Sequence, residues 1–119
     1  MPHMTVEYSS NLQGIDEGAL MQALTDTVCA HPTVSDEADV KTRIAKLEHY
    51  RIGLNSAGRA FVHVELRLMA GRTAEVKKEL SERIAAVLKT AIPAQAGLDV
   101  QLSADMVDMD KPSYFKGKL

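Results

Sequence analysis

The sequence predicts an α+β fold in which two strand–helix–strand units form one four-stranded mixed sheet with two helices on one face. Three observations favour this fold. Short segments that alternate between apolar and polar residues flank two segments with the apolar period of an amphipathic helix. The two groups are similar in length, and a turn signal, Asn55-Ser56-Ala57-Gly58, separates them. Each unit is expected to be a right-handed parallel crossover, and two such units place both helices on the same side of the sheet.

The first unit spans about residues 2–54. His3–Ser9 alternates with a period of two and predicts the first strand. A helix is expected over Asp16–Ala30, with its first residue as the N-cap, because apolar residues recur there at helical spacing and a His-Pro pair follows. Val40–Leu54 predicts a second strand or a bent hairpin.

The second unit spans about residues 59–106 and is followed by a polar C-terminal tail, 107–119. Arg59–Met69 has the clearest strand alternation in the chain. Thr73–Ala91 predicts a helix with a threonine N-cap and one apolar stripe. Leu98–Met106 alternates again and predicts the last strand. Both units together form a single domain of 119 residues.

Composition excludes several function classes. The net charge of −2, with basic and acidic residues interspersed, argues against nucleic acid as a partner and against binding to a membrane surface. No segment is apolar for long enough to predict a transmembrane helix, and the single cysteine, Cys29, cannot form an internal disulfide. We therefore expect a cytoplasmic protein. No cysteine and histidine spacing predicts a metal site, and no glycine-rich phosphate loop is present.

The sheet face opposite the helices is expected to be covered by another subunit. Its residues are not uniformly polar, since Phe61 lies on that face. A partly apolar face without helices is typical of a surface that a second copy of the chain covers.

Pro2 is the first candidate for chemistry because it directly follows the initiator Met1. Removal of a methionine before a small residue would leave proline as the N-terminal residue, with a secondary amine on a rigid ring. A free α-amino group titrates near pH 7.7–8.0, and burial lowers that pKa. Such an amine can act as a general base near neutral pH. With Met1 attached the nitrogen belongs to an amide and cannot do so.

Two arginines and a lysine are candidates for binding an anion. Arg72 lies between a strand and a helix N-terminus, where α/β sheets often place ligand contacts. Arg43 lies on the second predicted strand, and a guanidinium that faces a pocket is an anion clamp. Lys41 is two residues away and shares its face. Aromatic walls for a planar substrate are few, with Phe61 and Phe115 available.

Several segments, in matching order, resemble the 5-carboxymethyl-2-hydroxymuconate isomerase family of the tautomerase superfamily. The resemblance covers nearly the whole chain, and its most specific part is Phe-Val-His followed by Ala-Gly-Arg. The segments that carry it are Pro2-His3, Val6-Glu7-Tyr8-Ser9, Asn11-Leu12, Lys41-Thr42-Arg43, Ala60-Phe61-Val62-His63-Val64, Met69-Ala70-Gly71-Arg72 and Tyr114-Phe115-Lys116.

The resemblance implies a homotrimer with active sites near the subunit boundaries and a reaction without a cofactor, in the breakdown of homoprotocatechuate. The implied substrate is a dienol with three carboxylates, and the product is its conjugated ketone. Pro2 would be the general base and acid, and Arg43 and Arg72 would bind carboxylates. Lys41 and Phe115 are secondary candidates for contacts with the substrate.

Other functions remain open at this point. Another tautomerase could act on a phenylpyruvate-like enol or a halogenated acrylate, because the arginines indicate an acid without specifying which. A hydrolytic relative would need a carboxylate to activate water. Glu7 and Glu65 are candidates, but nothing in the sequence places them near Pro2. A non-catalytic trimeric binding module is the alternative from a different class, and it would keep Met1.

Overall fold

The computed structural model describes residues 1–119 and confirms the predicted fold class. One mixed sheet has the strand order β2-β1-β3-β4, in which β1 pairs with β2 and β3 with β4 in parallel, while β1 and β3 are antiparallel. None of the helices combines the length and apolar composition that crossing a membrane requires. The elements are β1 (His3–Ser9), α1 (Glu17–Cys29), β2 (Lys41–Leu47), β3 (Arg59–Met69), α2 (Ala74–Ala91) and β4 (Asp99–Met109), with short 3-10 turns at Glu37–Asp39 and Lys111–Ser113.

Both helices begin at the predicted N-caps. The Asp16 carboxylate accepts a hydrogen bond from the Ala19 amide at 3.0 Å, and the Thr73 hydroxyl accepts one from the Val76 amide at 3.2 Å. Each bond satisfies an amide of the first turn that has no partner within the helix. The caps therefore fix where α1 and α2 leave the preceding loops.

The core lies between the sheet and the two helices. Alternate residues of β1 and β3 are buried on that side, and each helix contributes one stripe of leucine, isoleucine or valine. The cluster contains 15 buried residues: Met4, Val6, Tyr8, Leu12, Leu20, Leu24, Val28, Ala60, Val62, Val64, Leu66, Leu68, Leu80, Ile84 and Leu88.

Two strand boundaries differ from the sequence prediction. β2 ends at Leu47 and does not continue to Leu54, because its parallel partner β1 ends at Ser9, which is paired with Leu47. β4 runs three residues past the predicted end, to Met109, because β3 offers a partner along its whole length up to Met69. Strand length is set here by the neighbouring strand, which a local alternation pattern does not report.

Leu24 offers a test of this core, since its side chain is fully buried in the middle of α1. We expect Leu24→Ala to lower the free energy of unfolding by about 2–5 kcal/mol through lost burial and a residual cavity. Gln22→Ala on the exposed side of the same helix should change it by less than about 0.5 kcal/mol. Urea denaturation at one fixed protein concentration measures both, and equal losses would contradict the assignment of this core.

The opposite face of the sheet carries no helix and is rich in charged and polar side chains. Glu7 lies directly across from His63, and His3 lies across from Arg67. Its members include His3, Thr5, Glu7, Lys41, Arg43, Phe61, His63, Glu65, Arg67, Gln101, Ser103 and Asp105. This surface is called the open face below.

Candidate functional site

Pro2 lies where the ends of three strands come together, at the start of β1 and β2 and the end of β3. β1 and β2 run parallel, so both begin at the same edge, and β3 runs antiparallel and ends there. The backbone amide of Lys41 donates a hydrogen bond to the Pro2 carbonyl at 3.0 Å, which extends the ladder by one residue. Arg72 follows the end of β3. The topology therefore brings Pro2, Lys41 and Arg72 to one edge of the sheet.

A small cavity of about 70 Å³ opens beside Pro2. Pro2 itself is buried, and Met1 is half-buried against the same cavity. Loss of Met1 would leave the proline nitrogen as the chain end at this cavity. The lining residues are Met1, Pro2, Thr33, Val34, Ser35, Asp36, Asp39 and Arg72.

The Arg72 guanidinium is held by the loop after α1 but keeps donors free. Its Nε donates to the Thr33 hydroxyl at 3.2 Å, Nη2 donates to the Thr33 carbonyl at 3.0 Å, and Nη1 donates to the Met69 carbonyl at 3.3 Å. A guanidinium has five N–H groups, so two have no partner within the chain. These two donors are available to a carboxylate.

The surroundings of the N-terminus hold more positive than negative charge. The Asp39 carboxylate lies 3.9 Å from the Met1 amine, and Lys116 contacts the same carboxylate at 3.1 Å. Lys41 reaches the Asp39 carbonyl with its ammonium group at 3.0 Å. Burial lowers the pKa of the N-terminal amine, Asp39 opposes that shift, and Lys116, Lys41 and Arg72 reinforce it. The site thus favours a neutral amine and an anionic ligand.

Arg43 does not reach this cavity within one chain. Its side chain is exposed on the open face, and Nη2 lies 3.3 Å from His3 Nδ1. The other ring nitrogen, His3 Nε2, lies 2.7 Å from the Tyr114 hydroxyl. Burial and the nearby charges of Arg43 and Lys41 lower the pKa of His3, which favours its neutral form beside Pro2.

Phe115 also lies away from the cavity, with 87% of its surface exposed. Its two neighbours in the tail do reach the N-terminal region. The Tyr114 hydroxyl forms a hydrogen bond with His3, and the Lys116 ammonium group donates one to Asp39. Neither Asp39 nor Lys116 was predicted as a site residue. Asp39 could have been found from its position just before β2, at the edge that also receives Pro2, whereas the only signal for Lys116 is that its segment resembles the family.

A larger depression of about 500 Å³ lies on the open face and shares no residue with the Pro2 cavity. It lacks the lysine and arginine cluster of the N-terminal site. Glu7 lines it, and Glu65 lies nearby on the same face, so neither carboxylate is brought to Pro2. The residues that line this larger depression are Glu7, Arg51, Ile52, Gly53, Phe61, His63, Gln101, Leu102 and Ser103.

Comparison with protein families gives a match over residues 2–118 to 5-carboxymethyl-2-hydroxymuconate isomerase. No curated protein matches the sequence. Among solved structures, a 5-carboxymethyl-2-hydroxymuconate isomerase from Deinococcus radiodurans R1 is 32% identical, with a TM-score of 0.89 over 99% of this chain and 90% of that one.

Two more distant structures share the fold. A 5-carboxymethyl-2-hydroxymuconate delta-isomerase is 23% identical, with a TM-score of 0.79 over 100% of this chain and 88% of that one. A fused 4-OT described as a symmetric trimer is also 23% identical, with a TM-score of 0.71 over 92% of this chain and 86% of the other.

Proposed function

The chain belongs to the 5-carboxymethyl-2-hydroxymuconate isomerase family, and we propose that it carries out that isomerisation through the nitrogen of Pro2. The observation that supports this mechanism is the cavity shared by Pro2 and Arg72. It pairs a position for a basic nitrogen with two free guanidinium donors in a region of net positive charge. The proposal places the reaction in homoprotocatechuate breakdown in the cytoplasm.

The proposed reaction moves one proton and shifts two double bonds. The neutral Pro2 nitrogen takes the proton of the 2-hydroxyl group, and the O–H electron pair becomes the carbonyl bond at carbon 2. The double bond between carbons 2 and 3 moves to carbons 3 and 4. The electron pair between carbons 4 and 5 then takes the proton back from Pro2 at carbon 5. One group performs both transfers, so its pKa has to lie near the working pH.

Cationic residues around Pro2 would orient the substrate and stabilise the charge that forms. Arg72 is proposed to bind a carboxylate through its two free N–H groups, since bidentate arginine–carboxylate pairs are strong and directional. Because it lines the same cavity as Pro2, it would also stabilise the negative charge that develops on the oxygen at carbon 2. Lys41 would add positive charge near the N-terminus through its ammonium group, which donates to the Asp39 carbonyl.

Arg43 and Phe115 would contribute only in an assembly. Both are exposed in the single chain and neither lines the Pro2 cavity. We propose a homotrimer in which the open face is covered and these two side chains approach the site of a neighbouring copy.

The mass of the protein in solution, measured by light scattering, should be about three times that of one chain. A monomeric mass at full activity would refute this arrangement.

An ultraviolet assay of the tricarboxylate dienol tests the activity directly. Ketonisation should be accelerated strongly by the processed protein, and a phenylpyruvate enol or a halogenated acrylate should react far more slowly. The reverse preference would favour another tautomerase. Tight binding of the tricarboxylate without turnover by a chain that begins at Pro2 would favour the binding module.

Two substitutions should move the acid limb of the pH profile in opposite directions. The neutral amine is the base, so kcat/KM should fall as the pH drops through the pKa of that amine. In the chain with Met1, Asp39 raises the pKa of the N-terminal amine and Lys116 lowers it. If both side chains act in the same sense on the Pro2 amine of the processed chain, Asp39→Asn should shift the limb to lower pH and Lys116→Ala should shift it to higher pH. Profiles of kcat/KM measure both shifts, and identical limbs would exclude the N-terminal amine as the titrating group.

A further inference from the structure

A chain of hydrogen bonds connects Arg72 to α2 through the loop that follows α1. The Thr33 hydroxyl, which receives Arg72 Nε at 3.2 Å, lies 2.8 Å from His31 Nδ1. On the far side of the ring, His31 Nε2 lies 3.3 Å from the Glu79 carboxylate. His31 is only 4% exposed and is one of the few buried polar residues in the chain.

The partners of His31 determine which atom donates and which accepts in each of these hydrogen bonds. The Thr33 backbone amide can only donate, and it donates to Nδ1 at 3.2 Å. Nδ1 is therefore an acceptor, and in the neutral ring the proton lies on Nε2, where it faces Glu79. The Thr33 hydroxyl must then donate to Nδ1 and turn its lone pairs towards Arg72.

We propose that His31 and Thr33 are positioning residues that hold the Arg72 guanidinium in its substrate-binding orientation. This inference deepens the proposed function and rests on it for the role of Arg72. An arginine side chain has many rotamers and loses considerable entropy when it is fixed. The oriented hydroxyl and the adjacent Thr33 carbonyl hold one edge of the guanidinium, through Nε and Nη2, and the Met69 carbonyl holds Nη1. The guanidinium is therefore fixed at the Pro2 cavity, which Arg72 lines, before a ligand arrives.

Three variants test the contacts of the two ring nitrogens of His31 separately. Thr33→Val keeps the side-chain shape but removes the hydroxyl. His31→Gln can keep a donor near Glu79 but loses the acceptor at Nδ1, whereas His31→Asn can keep that acceptor. We expect Thr33→Val and His31→Gln each to lower kcat/KM by about 10-fold, as for one hydrogen bond to a charged group. His31→Asn should restore it to within about threefold of the parent.

The same substitutions in an Arg72→Ala background distinguish positioning from a general loss of structure. If His31 and Thr33 act through Arg72, Thr33→Val should cause no further loss of kcat/KM in that background. A further 10-fold loss there would overturn the proposal. Thr33→Val remains informative even if the His31 variants fold poorly.

Exchange of the Arg72 Nε proton with water, followed by NMR, gives a readout that does not depend on activity. Thr33→Val and His31→Gln should accelerate exchange about 10-fold, and unchanged exchange in both would refute positioning. If Arg72→Ala keeps full activity, the role of Arg72 in the proposed function fails. The exchange rates then still decide whether His31 and Thr33 hold its side chain.

Discussion

The chain that retains Met1 should convert the dienol at least about 100-fold more slowly than the chain that begins at Pro2, the usual contribution of a general base. In the retained form the nitrogen lone pair is delocalised into the amide and cannot accept a proton. The two forms can be prepared with and without inhibition of methionine removal and distinguished by intact mass. Initial rates of ketonisation then give the comparison directly.

A control is needed because Met1 also lines the cavity and could block the substrate. Pro2→Ala supplies it, since methionine is also removed before alanine and the cavity is then free. This variant should lose activity as well, because its primary amine is no longer held by a ring. Full activity with Met1 attached would rule out the proline mechanism. Inactivity of both the chain with Met1 and the chain that begins at Pro2 would favour the binding module.

Arg72→Ala should lower kcat/KM by about 100-fold. A carboxylate held by charge-assisted hydrogen bonds contributes about 1.5–3 kcal/mol, and 2.7 kcal/mol is roughly a 100-fold change in rate. Arg72→Lys should lose about 10-fold, because an ammonium keeps the charge but not the planar pair of donors. Steady-state kinetics of the three proteins measure these differences.

Lys78→Ala is the matched control for charge. Its side chain is 78% exposed on α2, and the substitution removes one positive charge from a helix that contributes no residue to the lining of the Pro2 cavity. Its kcat/KM should stay within about twofold of the parent. A loss equal to that of Arg72→Ala would show that net charge, rather than contact with Arg72, controls the rate.

The sequence predicts the fold well because each element carries its own signal. Apolar period and capping residues locate α1 and α2, and strand alternation locates β1 and β3. The ends of β2 and β4 were less accurate, since they depend on how far β1 and β3 extend as partners. Local patterns cannot report that dependence.

The candidate site is predicted only in part. Parallel and antiparallel pairing explains why Pro2 and Arg72 share a cavity. Arg43 was expected to accompany them, but strand alternation places it on the open face, and its part in catalysis stays a prediction. Asp39 and Lys116 were missed, because the contact between them joins residues 77 positions apart and no local pattern encodes it.

The contact between Asp39 and both ends of the chain affects how those ends can be joined. Met1 and Lys116 approach the same carboxylate, so a short linker could connect the two ends of one chain, as in a circular permutant. In such a permutant, however, Pro2 would lie within the polypeptide and would have no free amine. The permutant should therefore fold but lose the isomerase activity. An affinity tag placed beyond Leu119 would follow the segment that contacts Asp39 at the Pro2 cavity, and it should be removed before activity is measured.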